Sequence, residues 1–245
     1  MKGVVLAGGL GTRFHPVTRV VNKHLLDVFD EPMIYYPIRS LVAAGLQDIV
    51  VVTGDEVSQF KQLLGTGDEL GVNLDYAFQP DPQGGICDAL AKAESSTKGD
   101  SLVVMLGDNL FQDDLTPYLE NFQKQQDGAK ILLKRVGIED ASRFGIAEVE
   151  DDRIVRIEEK PSDPQSDLAQ TGCYMYDENV YDFIRTLSPS SRGQLEVTDL
   201  NMIYLHKDLL TYDVVPGWWT DAGTPASKLK AAIMVALSKG VTFHG

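Results

Sequence analysis

With 245 residues, 43% apolar side chains and a formal charge of −14, the chain is long enough to bury a sizeable core in one domain. The acidic balance argues against a broad nucleic-acid surface, and no apolar run approaches the ~20 residues of a membrane span. Cys87 and Cys173 show neither CxxC nor metal-ligand spacing, and the N-terminus enters a strand without a leader pattern; both features point to a reduced, cytoplasmic protein. The histidines His15, His24, His206 and His244 form no HxxxH or HExxH pattern, which argues against zinc.

Gly3-Val4-Val5-Leu6 reads as a buried first strand. Gly8, Gly9 and Gly11 then let the chain turn tightly and bring bare backbone N–H groups close to a ligand, an arrangement that suits phosphate. Arg13 can grip phosphate with two donors, and Lys23 adds a point charge. The first acidic residue is Asp27, whereas Lys2, Arg13, Arg19 and Lys23 all precede it, so this end carries a local positive field. The plainer reading, a surface turn after an edge strand, needs neither the three glycines nor the two cations.

Residues 32–45 read as a helix opened by Pro32 and ended by Gly45, with Ile34, Ile38, Leu41 and Val42 on one face. Strands follow at 48–53, 72–78, 101–106 and 129–136, and helices at 57–64, 85–93 and 115–125. This alternation predicts an α/β fold: a Rossmann-like, mostly parallel sheet flanked by helices. Ligands in such sheets lie beyond the carboxyl ends of the strands, so the Gly8–Arg13 loop, Gln79 and Asp108 should face one crevice. Farther on, 145–150 and 153–159 flank Asp151-Asp152 as a hairpin. A strand at 170–176, helices at 178–187 and 197–206, a strand at 209–215 and a helix at 225–239 complete the chain. No linker divides it, so residues 1–245 read as one domain in which a smaller acceptor-side lobe shares the sheet.

Asp108 closes the fourth strand after Gly107, and Asp221 lies in Trp219-Thr220-Asp221-Ala222-Gly223-Thr224. Two such carboxylates could share Mg²⁺ held mainly by phosphate and water; each could equally be a turn residue or helix cap. Pro161 predicts a strand end that lets both Glu159 and Lys160 reach the cleft, against the plainer reading of a solvated strand end. Gln79 can donate and accept at once, which suits the edge of a pyrimidine, or it is a loop residue without a role. Gly84-Gly85 permits close backbone approach, and the two cysteines read as packing residues. A dinucleotide-binding dehydrogenase is disfavoured because Phe14 replaces the third glycine of GxGxxG and no acid closes a second strand ~20 residues on.

Taken together these residues resemble the sugar-phosphate nucleotidyltransferases. The resemblance rests on Leu6-Ala7-Gly8-Gly9-x-Gly11-Thr12-Arg13, Lys23, Pro32-Met33-Ile34-Tyr35-Tyr36-Pro37, Gln79, Leu106–Asn109, Glu159-Lys160-Pro161, Thr171-Gly172-x-Tyr174, Glu196–Asp199 and Trp219-x-Asp221-x-Gly223-Thr224, and it is closest to the glucose-1-phosphate thymidylyltransferase branch. It implies a nucleotide-binding part at 1–136 and a sugar-binding part at 137–245. The substrates would be dTTP, with UTP or another hexose as the alternative, and glucose 1-phosphate; the cofactor would be Mg²⁺ and the assembly a homo-oligomer. A non-catalytic nucleotide- or sugar-binding regulator is the competing class.

By the same resemblance Gly8, Gly9, Gly11, Thr12 and Arg13 would hold the triphosphate, with Lys23 near the α-phosphate and His24 beside it. Gln79 and Gly85 would hold the base and nucleoside, and Asp108 and Asp221 the metal. Lys160 would bind the sugar phosphate, and Asn109, Gly145, Glu159, Gln170 and Gly172 would surround the sugar. Arg13, Lys23 and Lys160 would carry the catalysis. His24 and Asp27 depart from the family's Gln or Pro and then Pro, and Gln170 replaces a small apolar residue. The chain resembles the short form of the family, which implies weak or absent feedback control.

Overall fold

The computed structural model describes residues 1–54, 57–125 and 127–242; His244 lies outside them. The first half contains β1 (Lys2–Ala7), a small hairpin of β2 (Asp27–Val28) and β3 (Glu31–Pro32), α1 (Tyr35–Ala43), β4 (Asp48–Thr53), α2 (Val57–Leu64), β5 (Asn73–Phe78), α3 (Ile86–Ala91), α4 (Glu94–Thr97), β6 (Leu102–Leu106), β7 (Asn109–Phe111), α5 (Thr116–Lys124) and β8 (Ala129–Arg135). The second half adds α6 (Ile138–Ala141), β9 (Gly145–Glu150), β10 (Arg153–Glu159), β11 (Leu168–Tyr176), α7 (Val180–Ile184), α8 (Val197–His206), β12 (Leu210–Val214), β13 (Trp219–Asp221) and α9 (Pro225–Ser238).

The central sheet runs β10-β9-β11-β6-β1-β4-β5, with β8 also paired to β11 and β12 to β8. Strands β6, β1, β4 and β5 are parallel. The apolar runs of β1, β4 and β6 are nearly continuous because helices cover both faces, whereas edge strand β5 alternates. Val4, Leu6, Val50, Val52 and Val104 face one core with Leu90, Leu200 and Tyr204, while Val5, Ala7, Val51, Val103 and Met105 face the other with Ile38, Leu41, Phe60 and Leu119.

Two expectations change. The helix expected from Pro32 starts at Tyr35, because Pro32 pairs with Asp27 in the β2–β3 hairpin. The fifth strand, β8, does not extend the parallel set; antiparallel β11 intervenes between it and β6. The Asp151-Asp152 hairpin forms as read, with both residues at positive φ (47° and 58°), the twist that a two-residue turn requires. Strand β11 loses its regular pairing with β8 between Gln170 and Tyr174, and the irregularity lies against the site described next. Finally, α9 returns to the first half, where Val235 and Ala231 pack with Val28, Met33 and Leu110.

Candidate active site

The chain leaves β1 for β4 and β5 on one side and returns through β6 on the other, so a gap opens between the loops after β1 and β6. A cleft of about 320 Å³ fills it, lined by Gly8, Gly9, Arg13, Lys23, Gln79, Gly85, Asp108, Glu159 and Lys160. A Cβ at position 8 would lie 2.5 Å from Gln79 Oε1, so a side chain there would displace the Gln79 carboxamide. Gln79 is buried, and its Nε2 donates to Gly85 O (3.2 Å) and Asp88 Oδ2 (2.9 Å). Gly85 itself has φ 93°, and a Cβ on it would meet Leu195 O at 2.6 Å. The backbone is laced there: Leu195 N donates to Gly84 O, and Cys87 N donates to Leu195 O.

Lys23 is placed by a short 3₁₀ turn, Lys23–Leu25, whose N-cap is Asn22. Asn22 Oδ1 accepts from His24 N (2.9 Å) and His24 Nδ1 (2.8 Å), and its Nδ2 donates to Ala7 O (3.2 Å). The turn is thereby tied to the end of β1. His24 is buried against Gly107. Burial and then the neighbouring Lys23 charge push its ring down to about 3, so it is neutral and supports the loop from beneath. Lys23 Nζ bonds Asp108 Oδ2 at 2.5 Å. Burial alone would raise the Asp108 carboxyl, but the Lys23 charge, with hydrogen bonds from Lys23 and Asn109, outweighs it and holds the group below the usual carboxylate range.

The second carboxylate arrives from far along the chain. Strands β7 and β13 pair antiparallel with Asn109 opposite Asp221, and Ala222 N donates to Asp108 O (2.7 Å). A Cβ on Gly223 would lie 3.1 Å from Asp221 Oδ1, 3.2 Å from Asp108 Oδ2 and 3.3 Å from Arg13 Nη2, so three charged groups converge on one point. Asp221 is not the cap of α9. Thr224 holds that position in a capping box with Ser227, while Asp221 Oδ1 accepts from Gly223 N.

A smaller pocket of about 110 Å³ continues from the cleft, lined by Asn109, Gly145, Glu159, Lys160, Gln170 and Gly172 and closed on one side by Phe144 and Trp219, whose rings lie 5.2 Å apart. Asn109 Oδ1 is already engaged, accepting from Gly172 N (2.9 Å) and Trp219 Nε1 (2.6 Å). Glu159 Oε2 accepts from Thr198 Oγ1 (2.7 Å), and its Oε1 faces Arg192 (3.0 Å) and Lys160 (3.2 Å). Burial would raise this carboxyl, but the Thr198 bond and the Lys160 charge lower it overall. Lys160 follows the strand end at φ 47° and leaves nearly half of its side chain exposed (46%).

The sequence matches the nucleotidyl transferase family over residues 2–236. This chain belongs to that family. It is 43% identical over 240 residues to a glucose-1-phosphate thymidylyltransferase of Neisseria meningitidis, covering 96% of this chain and 82% of the relative. A second enzyme of that name, from Mycolicibacterium smegmatis, is 39% identical over the same length. A crystal structure from Bacillus anthracis, described as a candidate glucose-1-phosphate thymidylyltransferase, superposes with a TM-score of 0.91 at 46% identity, covering 100% of this chain and 98% of that one. A UDP-glucose pyrophosphorylase shares the fold at a TM-score of 0.84 and 21% identity.

In this nucleotidyl transferase most residues singled out in the sequence meet in the two adjoining pockets. Gly11 and Thr12 do not line them; Gly11 begins the 3₁₀ turn Thr12–Phe14 at φ 61°, and its carbonyl accepts from Thr18 Oγ1. Asp27 is exposed in the β2 hairpin, where its backbone and side chain hold Lys228 of α9. Arg192, Phe144 and Asn22 were not anticipated. Each acts through a partner distant in sequence or through a cap two residues away, and no spacing marks them. Both cysteines pack as expected; burial raises both thiols, that of Cys173 to about 12.

Proposed function

We propose that this protein is a glucose-1-phosphate thymidylyltransferase, making dTDP-glucose and pyrophosphate from dTTP and glucose 1-phosphate. The observation that carries the reading is the convergence of Arg13, Asp108 and Asp221 beside Gly223, next to the glycine loop. A phosphate oxygen of the sugar phosphate forms a bond to the α-phosphorus of dTTP, the bond from that phosphorus to the bridging oxygen breaks, and pyrophosphate leaves with the electron pair. Such chemistry needs positioning and charge neutralisation more than a strong base.

Gly8 and Gly9 leave the loop backbone open to the phosphates, and Arg13 offers two donors to them. Lys23 stands at the α-phosphate side, where its ammonium would offset the charge that develops on phosphoryl oxygen. Gln79 and Gly85 form the base end, and Lys160 receives the sugar phosphate at the junction of the pockets. Glu159, Asn109, Gly145, Gln170 and Gly172 enclose the hexose, while Gly11, Thr12 and His24 shape the loop.

The donor set fits Mg²⁺. Two carboxylate oxygens, Asp108 Oδ2 and Asp221 Oδ1, face one point, so these two residues would hold the ion with phosphate and water completing its shell. When bound, the ion would offset charge on the phosphoryl oxygens.

The test is pyrophosphate release by the purified protein across dTTP, UTP, CTP, ATP and GTP, each combined with several sugar 1-phosphates and Mg²⁺. The expected result is strongest release with dTTP and glucose 1-phosphate, abolished by EDTA. Nucleotide binding without release anywhere in the grid would overturn the reading in favour of a binding protein.

A further inference from the structure

Gln170 stands on β11 immediately before the stretch where that strand loses its pairing with β8. Its side chain is buried (6% exposed) and lies against Gly145, where any Cβ would clash with its Nε2. It forms the middle of a buried hydrogen-bond chain. Tyr176 Oη donates to Asn201 Oδ1 (2.7 Å), and Asn201 Nδ2 donates to Gln170 Oε1 (2.7 Å). Gln170 Nε2 then donates to Thr198 Oγ1 (3.1 Å), which donates to Glu159 Oε2 (2.7 Å).

The direction of this chain is set by its end. A carboxylate only accepts, so the single Thr198 proton goes to Glu159. The Thr198 oxygen is then free to accept from Gln170, which obliges the carboxamide to turn its oxygen to Asn201. An apolar side chain at position 170 makes neither bond, and the Thr198 hydroxyl is then held by its bond to Glu159 alone.

We propose that Gln170 is a positioning residue that, through Thr198, holds the Glu159 carboxylate in the orientation that accepts sugar hydroxyls and thereby sets selection among hexose 1-phosphates. The inference rests on the reading of the smaller pocket as the hexose site. It differs from a packing role for Gln170, which would affect stability alone. Glu159 is also held from the solvent side by Arg192 and Lys160, so loss of the inner bond leaves it drawn toward those cations.

Two variants separate these roles. Gln170→Met keeps the volume and removes the bonds; Gln170→Glu keeps the shape but competes with Glu159 for the Thr198 proton. Both are expected to raise KM for glucose 1-phosphate by about tenfold or more, to leave KM for dTTP within about twofold, and to narrow the preference for glucose 1-phosphate over its epimeric hexose 1-phosphates. A crystal structure of Gln170→Met, solved without substrate, should show Glu159 turned from Thr198 toward Arg192. Unchanged KM and sugar preference in both variants, or Glu159 retained on Thr198 in that structure, would overturn the proposal. Should the wild-type protein release no pyrophosphate with any sugar phosphate, the functional reading falls and the sugar-selecting role falls with it, while the crystal structure still decides whether Gln170 positions Glu159.

Discussion

The two adjoining pockets, which the proposed function assigns to phosphate and to sugar, are built by different means. At the phosphate end the working surface is backbone, exposed by Gly8 and Gly9, with a few charges set around it: Arg13, Lys23, Asp108 and Asp221. At the sugar end it is side chain, held by hydrogen bonds running from Tyr176 through Asn201, Gln170 and Thr198 to Glu159. On the proposed function the first design would recognise a feature that every nucleoside triphosphate has, and so would depend on charge and on bare glycine. The second would distinguish hydroxyl patterns, and so would depend on directional bonds, each of which a single substitution can alter.

The largest expected effect comes from breaking the charged end. Asp108→Asn removes one of the two converging carboxylates and leaves Lys23 partly buried without its counter-charge. Turnover should fall by about 10³-fold, or ~4 kcal/mol, with the circular dichroism spectrum retained. Near-wild-type turnover would mean that the ion pair is a fold contact rather than part of the chemistry.

Gly85→Ala tests whether backbone conformation is the limiting feature at the base end. With φ at 93° and Leu195 O at 2.6 Å from the added Cβ, it should cost about 2–3 kcal/mol in a urea unfolding experiment. A change below ~0.5 kcal/mol would show that the Gly84–Leu195 lacing relaxes freely.

His24 gives a pH signature to the phosphate loop. Its ring titrates at about 3 instead of 6.5, because burial and Lys23 disfavour the charged form. Between those values the unfolded chain binds a proton that the folded one refuses, so stability is lost as pH falls from 6.5 toward 3, by up to ~1.4 kcal/mol per pH unit. His24→Gln should flatten that part of a melting-temperature profile; an unchanged slope would place the acid sensitivity elsewhere.

The smallest effect is expected at the sugar end. Trp219→Phe removes the donor to Asn109 Oδ1 but leaves the bond from Gly172 N, so it should cost about 1 kcal/mol of stability. It should also raise KM for glucose 1-phosphate more than KM for dTTP. Equal effects on both would blur the distinction between the two ends.

What could be read from the residues follows the same division. The loop from Gly8 to Arg13, the apolar strands and the Asp151-Asp152 turn are local: their signals lie within a few consecutive positions, and they reappear in the fold with small shifts at the boundaries. The roles of Thr198 and Arg192 depend on which strand or helix lies beside Glu159, and no local pattern encodes that. The helix at Pro32 shifted because a two-residue ladder with Asp27 competed successfully for the proline.

By itself the sequence determined the chemistry available: a glycine loop with two cations ahead of any acid, carboxylates at two turns, and strands apolar enough to be covered on both faces. The tertiary structure decided which of these meet. The β7–β13 ladder sets Asp221 opposite Asn109, 112 positions earlier in the numbering, and β11 inserts between β6 and β8 to carry Gln170 to Thr198 and Glu159. Such meetings are fixed by strand order and register, which are settled by the packing of both cores at once rather than by any one segment.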